Sequence, residues 1–280
     1  MNSSSSNHWS PGHWSLDDID WSAFRADLVD KDLLAVAKTA ALVEINSRDY
    51  VTYLTNVFGE NAPFLTEIET WGIEEEQHGQ ALGRWAEMAD PTFSLELARA
   101  RFRATYRLPL DLDHSVRGSQ AGELLARCVV ESGTASFYSA IRDLAAEPVL
   151  RQIAGHIAAD EFRHYKLFYD RMRPYQASER MSLRRRLAVA IGRVTETGDD
   201  ELASAYYAAN APLSATFDRK TNARAYERST LTVYRRRHIE RGFSMIGKAI
   251  GIAPHGLIVR AGAAFFWKLV DWRSRRMAQA

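Results

Sequence analysis

Two short stretches, Glu75-Glu76-Gln77-His78 and Glu161-Phe162-Arg163-His164, each place a carboxylate and an imidazole three residues apart. Both lie in apolar stripes of helical spacing. Phe64, Ile68, Trp71, Glu75, His78, Leu82 and Trp85 recur at steps of four and three, as do Leu150, Ala154, Ile157, Glu161, His164 and Phe168. Ionisable groups therefore stand where a bundle helix faces its core. A buried carboxylate without a partner is costly, so the pattern asks for a cation.

Each pair has a glutamate upstream on another apolar helical face. Glu44 falls among Leu33, Ala37, Ala40, Ser47 and Val51, and Glu131 among Leu124, Cys128, Ala135 and Tyr138. Glu44 precedes Glu75 by 31 residues and Glu131 precedes Glu161 by 30, so two hairpins carry one ligand set in one order. Residues three apart share a helix face, which lets both members of each pair reach a metal. Glu44, Glu75, His78, Glu131, Glu161 and His164 are the candidate ligands. Four carboxylates and two neutral imidazoles carry a charge that two divalent ions cancel, and carboxylate with imidazole suits iron or manganese. Glu74 and Asp160 precede the two ligand glutamates, and a ligating imidazole gives its other N–H to such an acid. The expected pairs are Asp160 with His78 and Glu74 with His164. Solvated glutamates and satisfied core histidines would explain one Glu-x-x-His, but not two at matched distances.

Around this set the sequence predicts four long helices: Asp30 to Phe58, Asn61 to Asp90, Gly118 to Glu147, and Pro148 to Arg173. A short helix around Leu95 to Tyr106 lies in the connector, and no stretch shows the period of a strand. Short links within the hairpins and a long one between them predict an all-α fold, a four-helix bundle with the crossover connectivity of ferritin-like proteins. Residues 1–29 read as an N-terminal tail followed by a helix start at Ser15-Leu16-Asp17-Asp18, and residues 30–172 as the bundle. The repeated His8-Trp9-Ser10 and His13-Trp14-Ser15 read as part of the tail, with metal binding there the lesser alternative.

Residues 173–280 read as a basic helical C-terminal extension. They hold 20 Lys and Arg against 9 Asp and Glu, whereas residues 1–172 hold 16 against 26. Helices are predicted over Ser182 to Val194, Asp199 to Ala209, Asp218 to Ile250 and Gly256 to Met277. Arg260, Lys268 and Pro254 argue against the last as a membrane span and leave a helix lying on a bilayer or on a partner. Arg184-Arg185-Arg186 and Arg235-Arg236-Arg237 suit an acidic partner, such as an acyl carrier protein, a coenzyme A thioester or anionic lipid, or else a solvated face. No nucleic-acid-binding module is recognisable. The single cysteine, Cys128, excludes an internal disulfide framework and suits a reducing compartment, and no secretory signal is visible at the start, so a cytoplasmic protein, with peripheral membrane contact as a further option, is expected.

Three segments carry a resemblance to the soluble acyl-carrier-protein desaturases. Ile153 to His164 resembles their fourth-helix motif, Trp71 to Gly79 their Trp-x-x-Glu-Glu-x-x-His-Gly motif, and Glu131-Ser132-Gly133-Thr134 their third-helix motif, with a threonine one turn after a bridging glutamate. The likeness covers residues 30–172; helix one matches mainly through Glu44 and Tyr50, and the C-terminal region has no counterpart. It implies two iron ions held by the six ligands, O2 as co-substrate, and removal of hydrogens from an acyl chain. It also implies Thr134 as a catalytic proton-delivering residue, an acyl carrier protein or acyl thioester, an external electron donor such as a ferredoxin, and a homodimer. The same ligands serve hydroxylation, N-oxygenation or iron storage of the ferritin type, because ligands alone do not choose a substrate. A metal-free scaffold at the membrane surface is the remaining alternative.

Overall fold

Residues 14–59, 61–196 and 200–278 are described in the structure, a computed structural model. His8 and His13 lie outside them. Asp30 opens helix α1 (Lys31–Glu44) by accepting the backbone N–H groups of Asp32 and Leu33. The single helix predicted to Phe58 breaks at Ile45-Asn46 and resumes as α2 (Ser47–Phe58). The cause is local chemistry. The Ser47 hydroxyl donates to the Gly72 carbonyl at 3.0 Å and the Asn46 amide to Glu201 at 3.4 Å, so two side chains that favour helix ends take partners on other elements.

Asn61 caps α3 (Ala62–Ala89), with Pro63 in the first turn. A Cβ at Gly79 would stand 2.7 Å from the Ile45 nitrogen and 2.8 Å from the Ala41 carbonyl oxygen. Only glycine lets α3 approach the end of α1 this closely. A crossover containing α4 (Leu95–Thr105) leads to α5 (Gln120–Leu144), which turns through three residues into α6 (Pro148–Ser178). Glu147 holds that turn, accepting from Leu150 N–H at 2.7 Å, the Trp85 indole at 2.7 Å and Arg25 N–H at 3.0 Å. So short a link makes α5 and α6 antiparallel neighbours; α1 packs on α3, and α3 on α6.

Helix α6 outlasts its predicted end at Arg173-Pro174. Pro174 removes the N–H that the Asp170 carbonyl would use, but both residues are exposed, and water can serve that oxygen. The remaining helices are α7 (Leu183–Thr195), α8 (Asp200–Asn210), α9 (Arg219–Leu231), α10 (Arg236–Ile250) and α11 (Leu257–Ala278). The basic helix predicted over 218–250 is split between α9 and α10. Val233 is buried in the split, His238 Nδ1 accepts the Arg235 N–H at 3.0 Å, and Asp143 of α5 receives Arg237 at 2.6 Å.

The C-terminal helices pack directly on the bundle: α8 and α9 lie on α1, and α7 and α10 on α5. Leu42 shares a core with Ala205, Ala208 and Ala209, while Met181, Ala190, Ala249 and Ile250 join the core around Trp71 and Phe168. These contacts rely on alanine-rich faces, whose apolar signal is weak in sequence. At the other end, Leu16–Asp18, Trp21–Ala23 and Ala26–Leu28 form single 3-10 turns instead of the helix predicted from Ser15. They are tied across the bundle, Asp20 N–H to the Gln152 side chain at 3.0 Å and Gln152 to the Asp18 carbonyl at 2.9 Å. The described residues are all-helical apart from turns and links, and none of their helices is long and apolar enough to cross a membrane.

Candidate metal centre

All six predicted ligands are buried at the centre of the α1, α3, α5 and α6 bundle. They form two groups. Glu44, Glu75, His78 and Glu161 make one, and Glu75, Glu131, Glu161 and His164 the other, the ligand atoms of each lying within 4.8 Å of one another. In the first, His78 Nδ1 is 3.5 Å from Glu161, 3.9 Å from Glu44 and 4.0 Å from Glu75. In the second, His164 Nδ1 is 2.9 Å from Glu75 and 3.8 Å from Glu131. The imidazole rings are 5.7 Å apart. Atoms bound to one ion at roughly 2.0–2.2 Å stand roughly 3–4 Å from each other, so each group has the size of a single-ion shell.

The residues common to both groups are Glu75 and Glu161. The threonine motif was expected to follow a bridging glutamate; instead Glu131 belongs to one group alone, as Glu44 does. The reason is helical position. Glu75 and Glu161 stand on α3 and α6, the two helices that also carry His78 and His164, whereas Glu44 and Glu131 come from α1 and α5, each of which packs on one of them.

The donor set fits a cation. His78 Nδ1 and Glu161 Oε1 are buried and have no hydrogen-bond partner among the described residues. Burial, and then the charges of Glu161 and Glu44, push Glu75 well above the usual carboxylate range; burial with Glu161 and Glu75 does the same to Glu131. Burial opposes charge on Glu44 too, but Glu75, the nearby His78 and the Tyr138 hydroxyl outweigh it and leave Glu44 below its ordinary value. Burial likewise opposes charge on both imidazoles, yet Asp160, Glu161 and Glu44 around His78, and Glu74, Glu161 and Glu131 around His164, raise both. Without a cation this cluster holds extra protons. Two divalent ions would replace them.

Both outer pairings are present. His78 Nε2 lies 2.9 Å from Asp160 and His164 Nε2 2.7 Å from Glu74, which directs each Nδ1 inward. Arg163 donates to Asp160, and to Glu74 at 3.4 Å, joining the two acids across the site. Burial works to raise Asp160, but His78, Trp14 and Arg163 prevail and hold it at about 2. Thr134 is half-buried and donates to the Glu161 carboxylate, one turn beyond Glu131.

Two contributors were not singled out from the sequence. The buried Tyr138 hydroxyl donates to Glu44; the only hint was its place on the Glu131 stripe. Trp14, assigned to the tail, donates its indole N–H to Asp160 at 2.7 Å and stacks on His78, with ring planes 4° apart. Its carbonyl accepts from Gln77 at 3.1 Å, and His156 stacks on it at 5.0 Å. A tryptophan in a serine-rich run is the signal that could have marked it. No family model matches this chain, and no curated protein matches it.

Proposed function

We propose that the chain is a ferritin-like di-iron oxidoreductase that uses O2 to desaturate a long acyl chain. What carries the reading is the pair of buried four-residue groups sharing Glu75 and Glu161, a donor set of carboxylates and imidazoles that suits iron. Glu44 and His78 would hold one ion, Glu131 and His164 the other, with Glu75 and Glu161 serving both. Bound iron would supply reduction of O2, which no side chain of this set performs alone. The balance is two electrons and two protons from an acyl CH2–CH2 unit, two electrons from an external donor and two further protons, giving a C=C bond and two waters.

The chain's own groups have defined tasks. Asp160 and Glu74 orient the imidazoles, and Arg163 bridges those acids. Thr134 holds a hydroxyl proton at the Glu161 carboxylate, where protons are consumed. Gly133 is exposed, a side chain added there would meet nothing within 4 Å, and Val130 and Thr134 beside it are half-buried. A cytoplasmic setting, an acyl thioester and a ferredoxin-type donor complete the proposal.

Anaerobic loading with ferrous iron, followed by air, tests it. About two irons per chain and an oxo-bridged ferric absorption band are expected. Acyl thioesters are then supplied with labelled O2 and a reductant: an alkene without the label is the expected product. A labelled alcohol would reassign the chemistry to hydroxylation, and an inability to hold iron would overturn the metal centre.

A further inference from the structure

Helix α11 is apolar on two faces, and among the described residues only one is used by the fold. Val259, Ala263 and Val270 are buried toward the protein, and Phe266 packs on Phe243 of α10 at 5.4 Å. The helix rests on α9 and α10, with Arg273 paired to Glu227 at 2.7 Å. Its outward face carries Ile258, Phe265, Leu269 and Trp272 at steps of seven, four and three, one stripe of a helix. Ile258 is 76% exposed, Phe265 73% and Trp272 52%, and Leu257 beside them is 82% exposed. The stripe runs about 20 Å along the helix.

Charge distinguishes what can cover it. Arg260, Lys268, Arg273, Arg275 and Arg276 stand on α11 against one acid, Asp271. Arg276 lies over the Trp272 ring at 4.8 Å, cation and aromatic together at one end of the stripe. A groove of about 480 Å³ opens where α6, α7 and the end of α10 meet, just before α11 begins. Among the described residues, Arg173, Arg180, Arg186 and Lys248 line it and no acid does. At Gly251, which ends α10 with a φ of +83°, an added Cβ would stand 2.5 Å from the Arg186 guanidinium. The groove thus abuts the link that leads into α11. A second copy of the chain placed on this face by two-fold symmetry would set one cationic rim against another. An anionic bilayer offers both a phosphate surface and an apolar layer beneath it, and these charges keep the helix in the interface plane.

We propose that α11 is a membrane-docking helix. Its outward stripe enters the interface of an anionic lipid surface, while its basic residues and the groove at its root meet lipid phosphates. This rests on residues remote from the carboxylate cluster and stands independently of the metal chemistry.

The test is flotation of the full-length protein with vesicles of phosphatidylcholine alone and of phosphatidylcholine mixed with phosphatidylglycerol. The protein should float with the mixed vesicles, sink with the neutral ones, and detach in high salt. Phe265→Ser with Trp272→Ser should weaken binding at least about tenfold, and Arg260→Glu with Lys268→Glu comparably. All four positions are exposed, so helicity and iron content should be unchanged, and both are measured on the same samples. Failure of the wild-type protein to float with anionic vesicles would overturn the proposal, as would undiminished binding by Phe265→Ser with Trp272→Ser. A dimer in gel filtration that these two substitutions split, without flotation, would assign the face to a second copy instead.

Discussion

Helix α5 carries two buried glutamates two turns apart, and they live in opposite ways. Glu123 accepts the hydroxyls of Tyr53 and Ser115, each at 2.8 Å, with Arg127 at 3.9 Å. Glu131 faces Glu161, Glu75 and His164, and burial with the neighbouring acids raises its pKa. Glu147, in the α5–α6 turn, resembles Glu123, with three donors of its own. The protein supplies hydrogens to acids it keeps for structure. Where it turns acids toward one another, something from outside must supply positive charge. Burial alone therefore does not mark a candidate functional carboxylate; buried acids turned toward one another do.

The contrast breaks most sharply under substitution. Glu161→Ala removes a residue from both groups and should reduce iron from about two per chain to below one and abolish O2-dependent turnover; full iron content by metal analysis would refute the shared-ligand assignment. Glu147→Ala should do the reverse, leaving iron binding intact while costing about 2–4 kcal/mol in urea unfolding, through the lost helix cap and the Trp85 and Arg25 donors left behind. Asp160→Asn should keep the fold and weaken metal affinity roughly 10–100-fold in a chelator competition, since it loosens His78 without removing a ligand.

The metal-free protein offers a gentler comparison. Glu75, Glu131, His78 and His164 all have raised pKa values, so above the unfolded carboxylate range the native state holds more protons than the unfolded chain. Its stability should fall as pH rises from about 5 to about 8, and added ferrous iron should flatten or reverse that slope in urea melts. Smallest is Glu179→Ala. Glu179 accepts the Ala121 N–H at 3.1 Å at the start of α5, so the change should cost about 1 kcal/mol and leave iron content untouched.

The centre was legible in the sequence because its constraints are short-range: Glu-x-x-His, the acid before each ligand glutamate, and an apolar stripe around both. The all-helical architecture was legible for the same reason, through period and the helix openings at Asp30, Asn61 and Pro148. What escaped depends on distant partners. The break after Glu44 requires Gly72 and Glu201, the split before α10 requires Asp143, and the place of Trp14 requires Asp160. Pro174 misled because its effect depends on exposure, which periodicity does not report at a helix end. The two shared glutamates could not be told from the other two by spacing alone; only where the side chains meet in the folded bundle separates them.

The tie between the α1–α2 break and α8 has a consequence for how the protein is made. Asn46 and Tyr50, just beyond Glu44, hydrogen-bond to Glu201, 155 and 151 residues later. During synthesis, all six ligand positions leave the ribosome before the segment that fixes the first of them. Contacts of such sequence separation close late. The nascent chain thus carries its acids without their final support, and a metal ion would find the complete cluster only after α8 has docked.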